Sequence, residues 1–148
     1  LAHERGATGQ LGGPSGAEAA YLDRLDPHDP HIAAARMHRR ETLEGSAVGL
    51  VFLAFVPGLG RRVMSTRANA LSGDILSEIE AVRIKGYALD LAAYRPGENG
   101  VAVPWRENGE VRASIALTGP SSELPPHRLV RLAWMMMKHV ERATVQQC

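Results

Sequence analysis

The chain holds a single cysteine, Cys148, and it is the last residue. No internal disulfide can form, so folding rests on burial alone, which suits a reducing cytoplasm. An excess of charge is missing too. Lys+Arg number 17 against Asp+Glu 16, a formal net charge of +1, so no strong field exists to hold a nucleic-acid backbone, and specific DNA binding by this segment alone is not expected. Long apolar runs are absent: the longest, Ala47 to Val56, is about half of what a membrane span needs, and the N-terminus lacks a charged start ahead of an apolar signal core. The chain begins at Leu1 rather than Met, from which a missing upstream segment is expected. Also lacking are a nucleophile elbow, a dinucleotide fingerprint and a phosphate loop, so enzymatic chemistry has no motif to stand on.

What is there is ordinary soluble composition, 45% hydrophobic and 22% charged over 148 residues, enough for one domain around one core. Glycines at 9, 12, 13 and 16 leave the start loosely stranded. Tyr21 to Leu25 alternates as a strand, two prolines in Asp26–Pro30 close it, and a short strand is expected over Ile32 to Arg36. Ser46 to Phe55 is almost continuously apolar and stops at Pro57-Gly58, which predicts a buried helix with Ser46 as its N-cap. The basic stretch around Arg61, Arg62 and Arg67 reads as irregular. Ile75, Leu76, Ile79 and Val82 then recur at helical spacing, with Gly86 where a C-terminal cap belongs and Glu78, Glu80, Arg83 and Lys85 on the wet side.

The strongest local signal is a hairpin, in which Gly100 to Val103 leads through Asn108-Gly109 into Val111 to Thr118, because Asn-Gly is the preferred pair for a type I′ turn. Along the second strand Val111, Ala113, Ile115 and Leu117 are expected on the core face, and Arg112, Ser114, Ala116 and Thr118 on a small, partly polar one. Leu129, Leu132, Ala133, Met136 and Val140 mark the buried stripe of a long closing helix that starts near Pro125-Pro126.

Candidate chemistry outside these elements is thin. His28-Asp29-Pro30-His31 offers three potential metal ligands in four residues, but no fourth ligand stands at a motif spacing, so a solvated loop is the reading and no cofactor or metal is expected. The basic run Arg36, His38, Arg39 and Arg40 reads as a solvated strand end, and the triplet Met135-Met136-Met137 as core and helix-interface packing.

Three blocks resemble the C-terminal, effector-binding domain of the IclR family of bacterial transcriptional regulators. The first is Arg39 to Gly49, where an apolar helix opens. The second is Ile79 to Asp90, similar to the family's helix, Gly-Tyr and acidic strand end, continuing through Tyr94-Arg95-Pro96-Gly97 to Ala102-Val103-Pro104. The third is Ser114 to Ser121, similar to its closing strand and Ser-Gly-Pro turn. Two departures bear on the pocket, since Glu44 and Leu50 stand where the family usually shows histidine and lysine, and Arg61 to Asp74 looks shorter than usual.

The resemblance implies an α/β (α+β) fold, a GAF-like curved antiparallel sheet with helices packed on one face and a ligand pocket on the other. It further implies that residues 1–148 form a single effector-sensing domain, whose N-terminal winged helix-turn-helix DNA-binding domain is absent from this chain. Such a domain is a ligand sensor and not an enzyme, is cytoplasmic and away from membranes, forms a homodimer or homotetramer, and meets DNA only through the missing domain. The alternative is a GAF-like oligomerisation module with a degenerate pocket. By matching motif positions, the ligand contacts fall at Ala47, Val48, Asp90, Gly100, Ala116 and Thr118, and the implied ligand is a small hydroxy or amino carboxylic acid with its carboxylate toward the helix start.

Overall fold

The computed structural model describes residues 8–15, 18–25, 40–66, 71–92 and 96–147, and side chains from Leu43 to Thr66, Leu71 to Ala92 and Pro96 to Glu141. The expected strand over Ile32 to Arg36, the His28–His31 segment, Arg67 and the Tyr94-Arg95 pair lie outside the described residues. Six strands form one antiparallel sheet in the order β3-β2-β1-β6-β5-β4: β1 (Thr8–Ser15), β2 (Glu18–Leu25), β3 (Arg40–Thr42), β4 (Ala88–Leu91), β5 (Glu98–Glu107) and β6 (Glu110–Pro120). Four helices accompany them: α1 (Ala47–Phe55), α2 (Leu59–Thr66), α3 (Gly73–Lys85) and α4 (Pro126–Gln147). The fold is thus α+β around an antiparallel sheet, as expected.

Local chemistry places the elements where the sequence predicts them. The Ser46 hydroxyl accepts the Gly49 amide at 3.1 Å, capping α1, whose residues Ala47 to Ala54 are all buried. Ser72 caps α3 in the same way, and Gly86 ends it in the left-handed conformation at φ 91°. At the hairpin, Asn108 and Gly109 both take positive φ, 53° and 80°, which is what a type I′ turn requires. Pro126 opens α4, where its missing N–H is one the helix would not have used.

The layering differs from the expectation that helices cover one face only. Side chains alternate across a strand, and here both sides are buried. Val101, Val103 and Leu117 pack with Leu129, Leu132, Ala133 and Met136 of α4, whereas Ala88, Ala102 and Ala116 pack with α1 and with Ile79 and Val82 of α3. The small-residue face is therefore roofed by α1 and α3, because alanines let a wholly apolar helix lie close to the sheet. Val111 also changes sides. An irregularity pairs Trp105 with Ala113 but Arg106 with Val111, so one extra residue of β6 reverses the alternation and turns Val111 to the α1 side. On that side the Arg106 guanidinium sits 4.8 Å from the centre of the Phe55 ring.

The basic stretch read as irregular is a helix, α2, for eight residues from Leu59. Leu59 and Val63, one turn apart, are buried while Arg61 and Arg62 stay exposed, and two apolar anchors were too short a pattern to stand out in the sequence.

Candidate functional site

A cavity of about 310 Å³ opens where the start of α1, one face of α3 and the sheet-edge strand β4 converge. Glu44, Gly45, Ser46, Ala47 and Leu50 form one wall. Glu78, Ala81, Val82 and Lys85 form the second, and their i, i+3, i+4, i+7 spacing is that of a single helix face. Tyr87, Leu89, Asp90 and Leu91 close the third. The site combines an apolar middle with charged positions at Glu44, Glu78, Lys85 and Asp90, and with the end of α1, whose first backbone N–H groups have no acceptor within the helix.

A backbone contact holds that helix start in place. The turn at Leu43–Gly45 packs so closely against α1 that a Cβ on Gly49 would fall 1.9 Å from the Leu43 carbonyl oxygen, so only glycine fits there. Leu43 itself is fully buried in the core beneath the helix. The position of Ser46 and Ala47 at the cavity therefore depends on Gly49, three and two positions further along the chain.

Of the six positions expected to contact a ligand, Ala47 and Asp90 line this cavity. Asp90 is paired across the sheet with Gly100, and Gly100 with Thr118, so these three residues form one row on one face. Gly100 is needed in that row, since a Cβ there would come within 2.9 Å of the Thr118 methyl carbon and 3.2 Å of the Leu117 carbonyl oxygen. Ala116 lies in the neighbouring row with Ala88 and Ala102, buried under α1 and away from the cavity walls. Val48 is likewise a core residue of α1.

Sequence reasoning missed the α3 wall. Glu78 and Lys85 read as a solvated face and Val82 as core, and only the packing of α3 beside α1 and β4 turns that face into a pocket wall. Glu44 and Leu50, the two departures from the family pattern, both line the cavity. One polar group remains unexplained, for the buried Ser114 hydroxyl has no hydrogen-bond partner among the described residues. Among the described residues no cluster of three or more metal-ligating side chains occurs.

Comparison with known proteins gives one family: residues 1–144 match the family described as bacterial transcriptional regulator IclR, C-terminal. The chain is 27% identical over 134 residues to the HTH-type transcriptional regulator XynR of Escherichia coli, covering 84% of this chain and 53% of that protein. It is 28% identical over 134 residues to the HTH-type transcriptional regulator BhcR of Paracoccus denitrificans, covering 84% of this chain and 48% of that one. The chain thus spans about half the length of these relatives. The fold matches the crystal structure of the Agobacterium tumefaciens repressor BlcR with a TM-score of 0.78 at 21% identity, covering 93% of this chain and 58% of that one. It also matches an IclR homologue from Microbacterium hydrocarbonoxydans, crystallised in complex with 4-hydroxybenzoate, with a TM-score of 0.77 at 21% identity, covering 94% and 61% of the two chains. The named relatives are regulators, not enzymes.

Proposed function

Because this chain belongs to the IclR family of bacterial transcriptional regulators, as its C-terminal domain, we propose that it senses a small-molecule effector and passes the binding event to DNA through an N-terminal winged helix-turn-helix domain in the longer protein. The observation that carries the proposal is the cavity between α1, α3 and β4, about 310 Å³ in volume and walled by apolar and charged side chains together. A ligand of that size touches three elements at once, and any difference in their spacing between two assemblies of the regulator gives the ligand a preference for one of them.

The proposed contacts start from Ala47 and the α1 amides on one side and Asp90 on the other. From Asp90 the row continues to Gly100 and Thr118, with Val48 supplying a backbone amide, while Ala116 underlies the row as a small core residue that keeps α1 close to the sheet. A small organic acid suits this arrangement, and the relative crystallised with 4-hydroxybenzoate supports that ligand class. The domain acts as a homodimer or homotetramer in the cytoplasm, where its DNA target lies; no described helix is long and apolar enough to cross a membrane.

A thermal-shift screen of hydroxy, amino and simple carboxylic acids tests the reading, because a ligand of the native state raises the melting temperature by mass action. The expected result is a hit that disappears in Ala81→Trp, which fills the cavity from the half-exposed middle of the α3 wall. A hit bound equally well by Ala81→Trp refutes the site. A screen with no hit favours the oligomerisation module with a degenerate pocket.

A further inference from the structure

Two hollows flank α3. Its face at Glu78, Ala81, Val82 and Lys85 walls the cavity already described, whereas Leu76, Ile79 and Arg83, at i, i+3 and i+7, share another face and wall a separate groove of about 410 Å³. The local chain builds this groove. Pro57 has no N–H with which to extend α1, Gly58 turns at φ 76°, and the chain bends by 119° between α1 and α2, which opens a notch beside α3. Phe55 and Val56 at the end of α1, with Leu71 and Leu76, give the notch an apolar surface that is still partly in water. A Cβ on Gly58 would meet nothing within 4 Å, so the notch is open there. Its charge is of one sign. Arg61 and Arg83 are the ionisable residues that line it, and no Asp or Glu does. Arg83 is held in place, since its Nε donates to the Ala54 carbonyl at 2.9 Å and one terminal nitrogen to Glu80 at 3.1 Å. Its other terminal nitrogen has no acceptor among the described residues, and Arg61 makes no ion pair with any of them.

We propose that this groove is a second small-molecule site, separate from the effector cavity, and that it takes an aliphatic monocarboxylate of medium chain length. The arginines draw the carboxylate, and the methylenes lie on Phe55, Val56, Leu71 and Leu76. Charge complementarity selects this class. An amine of the same length meets two cations and no acid, and a dicarboxylate has to bring its second charge against leucines. A short acid satisfies the arginines but leaves the apolar surface wet. Each methylene taken out of water is worth roughly a fourfold gain in affinity, so four more of them, even half covered, raise binding at least about tenfold. The site does not depend on the sensing role proposed for the cavity, because the two hollows use different faces of α3.

The probes are octanoate, butanoate, octylamine and octanol, titrated calorimetrically into the parent chain at low ionic strength. Octanoate is expected to bind at least tenfold tighter than butanoate and than octylamine. Arg61→Glu should weaken octanoate at least tenfold and leave octanol unchanged, and Leu76→Glu should weaken both. Both side chains are exposed, so unaltered melting of the unliganded variants is the control for folding, and Arg61→Glu decides alone if Leu76→Glu melts early. Ala81→Trp, which fills the cavity on the other side of α3, should bind octanoate like the parent. Octylamine or butanoate binding as tightly as octanoate, or Arg61→Glu binding octanoate like the parent, overturns the proposal. Loss of octanoate in Ala81→Trp overturns it too, by placing the acid in the effector cavity, and there the sensing reading stands. Failure of octanoate to bind refutes the second site; if Leu76→Glu then lowers the mass seen by light scattering, a second copy of the chain covers the groove instead.

Discussion

At Gly49 the constraint is atomic. The missing side chain is what allows the Leu43 carbonyl to approach α1, and the atom in the way is backbone, which cannot rotate aside. Gly49→Ala should therefore lower stability by about 3 kcal/mol, the upper range for overpacking, read as a fall in the urea midpoint with the slope unchanged. An alanine tolerated there at wild-type stability would mean that the turn at Leu43–Gly45 does not pack this way. Three residues earlier, Ser46 contributes one hydrogen bond to the Gly49 amide. Ser46→Ala should lose about 1 kcal/mol while Ser46→Gly loses only a few tenths, since capping is a matter of the backbone conformation as well as of the hydroxyl. Equal losses for the two variants would point to some other role for the hydroxyl.

Between elements, the decisive feature is the contact of α1 with a sheet face made of alanines. Ala116 is 1% exposed and packs in the same cluster as Val48 and Val51. Ala116→Leu should cost about 1–3 kcal/mol by forcing α1 off the sheet, and so reads on stability before it reads on any ligand. Ser114, two residues before it on the same face, carries the opposite expectation. Its hydroxyl is buried without a partner among the described residues, so Ser114→Ala removes an unsatisfied group and should leave stability equal or raised. A marked loss on thermal or urea melting in Ser114→Ala would show that the hydroxyl has a partner in solution. The pair of variants separates crowding from polarity on one face of β6.

For the molecule as a whole, the formal charge of +1 and the scatter of basic residues over several elements leave no concentrated field for DNA. The chain alone is expected to give no sequence-dependent shift of promoter DNA in a gel, and a retarded band that survives competitor DNA would contradict this. Self-association is the second expectation at this scale. Ile84 is 78% exposed, and Leu76, Leu91 and Trp134 each leave about half of their surface in water, apolar area that a second copy would cover with gain. Light scattering should report a dimer or larger species, and monomer alone at high concentration would refute it.

Where chemistry is local, the sequence was enough. The Asn108-Gly109 turn, the Ser46 and Gly86 caps, the Pro126 start of α4 and the buried stripe from Leu129 to Met136 each follow from a residue's own conformational preference or from a period within one element. Even the row linking Asp90, Gly100 and Thr118 was half legible, because period two puts Thr118 with Ala116; its pairing with Gly100 was not, since the turn alone would set Gly100 opposite Leu117 and the extra residue of β6 shifts the partner to Thr118. What required the tertiary structure was contact between elements distant in the chain. The side of the sheet taken by Val111 depends on one extra residue in β6, a change that no alternating pattern announces. The charged face of α3 is, by sequence, indistinguishable from a solvated one, and it lines a cavity only because α1 and β4 stand beside it. Periodicity reports which side of a helix is apolar; whether its polar side faces water or a pocket is decided by what other segments are placed opposite.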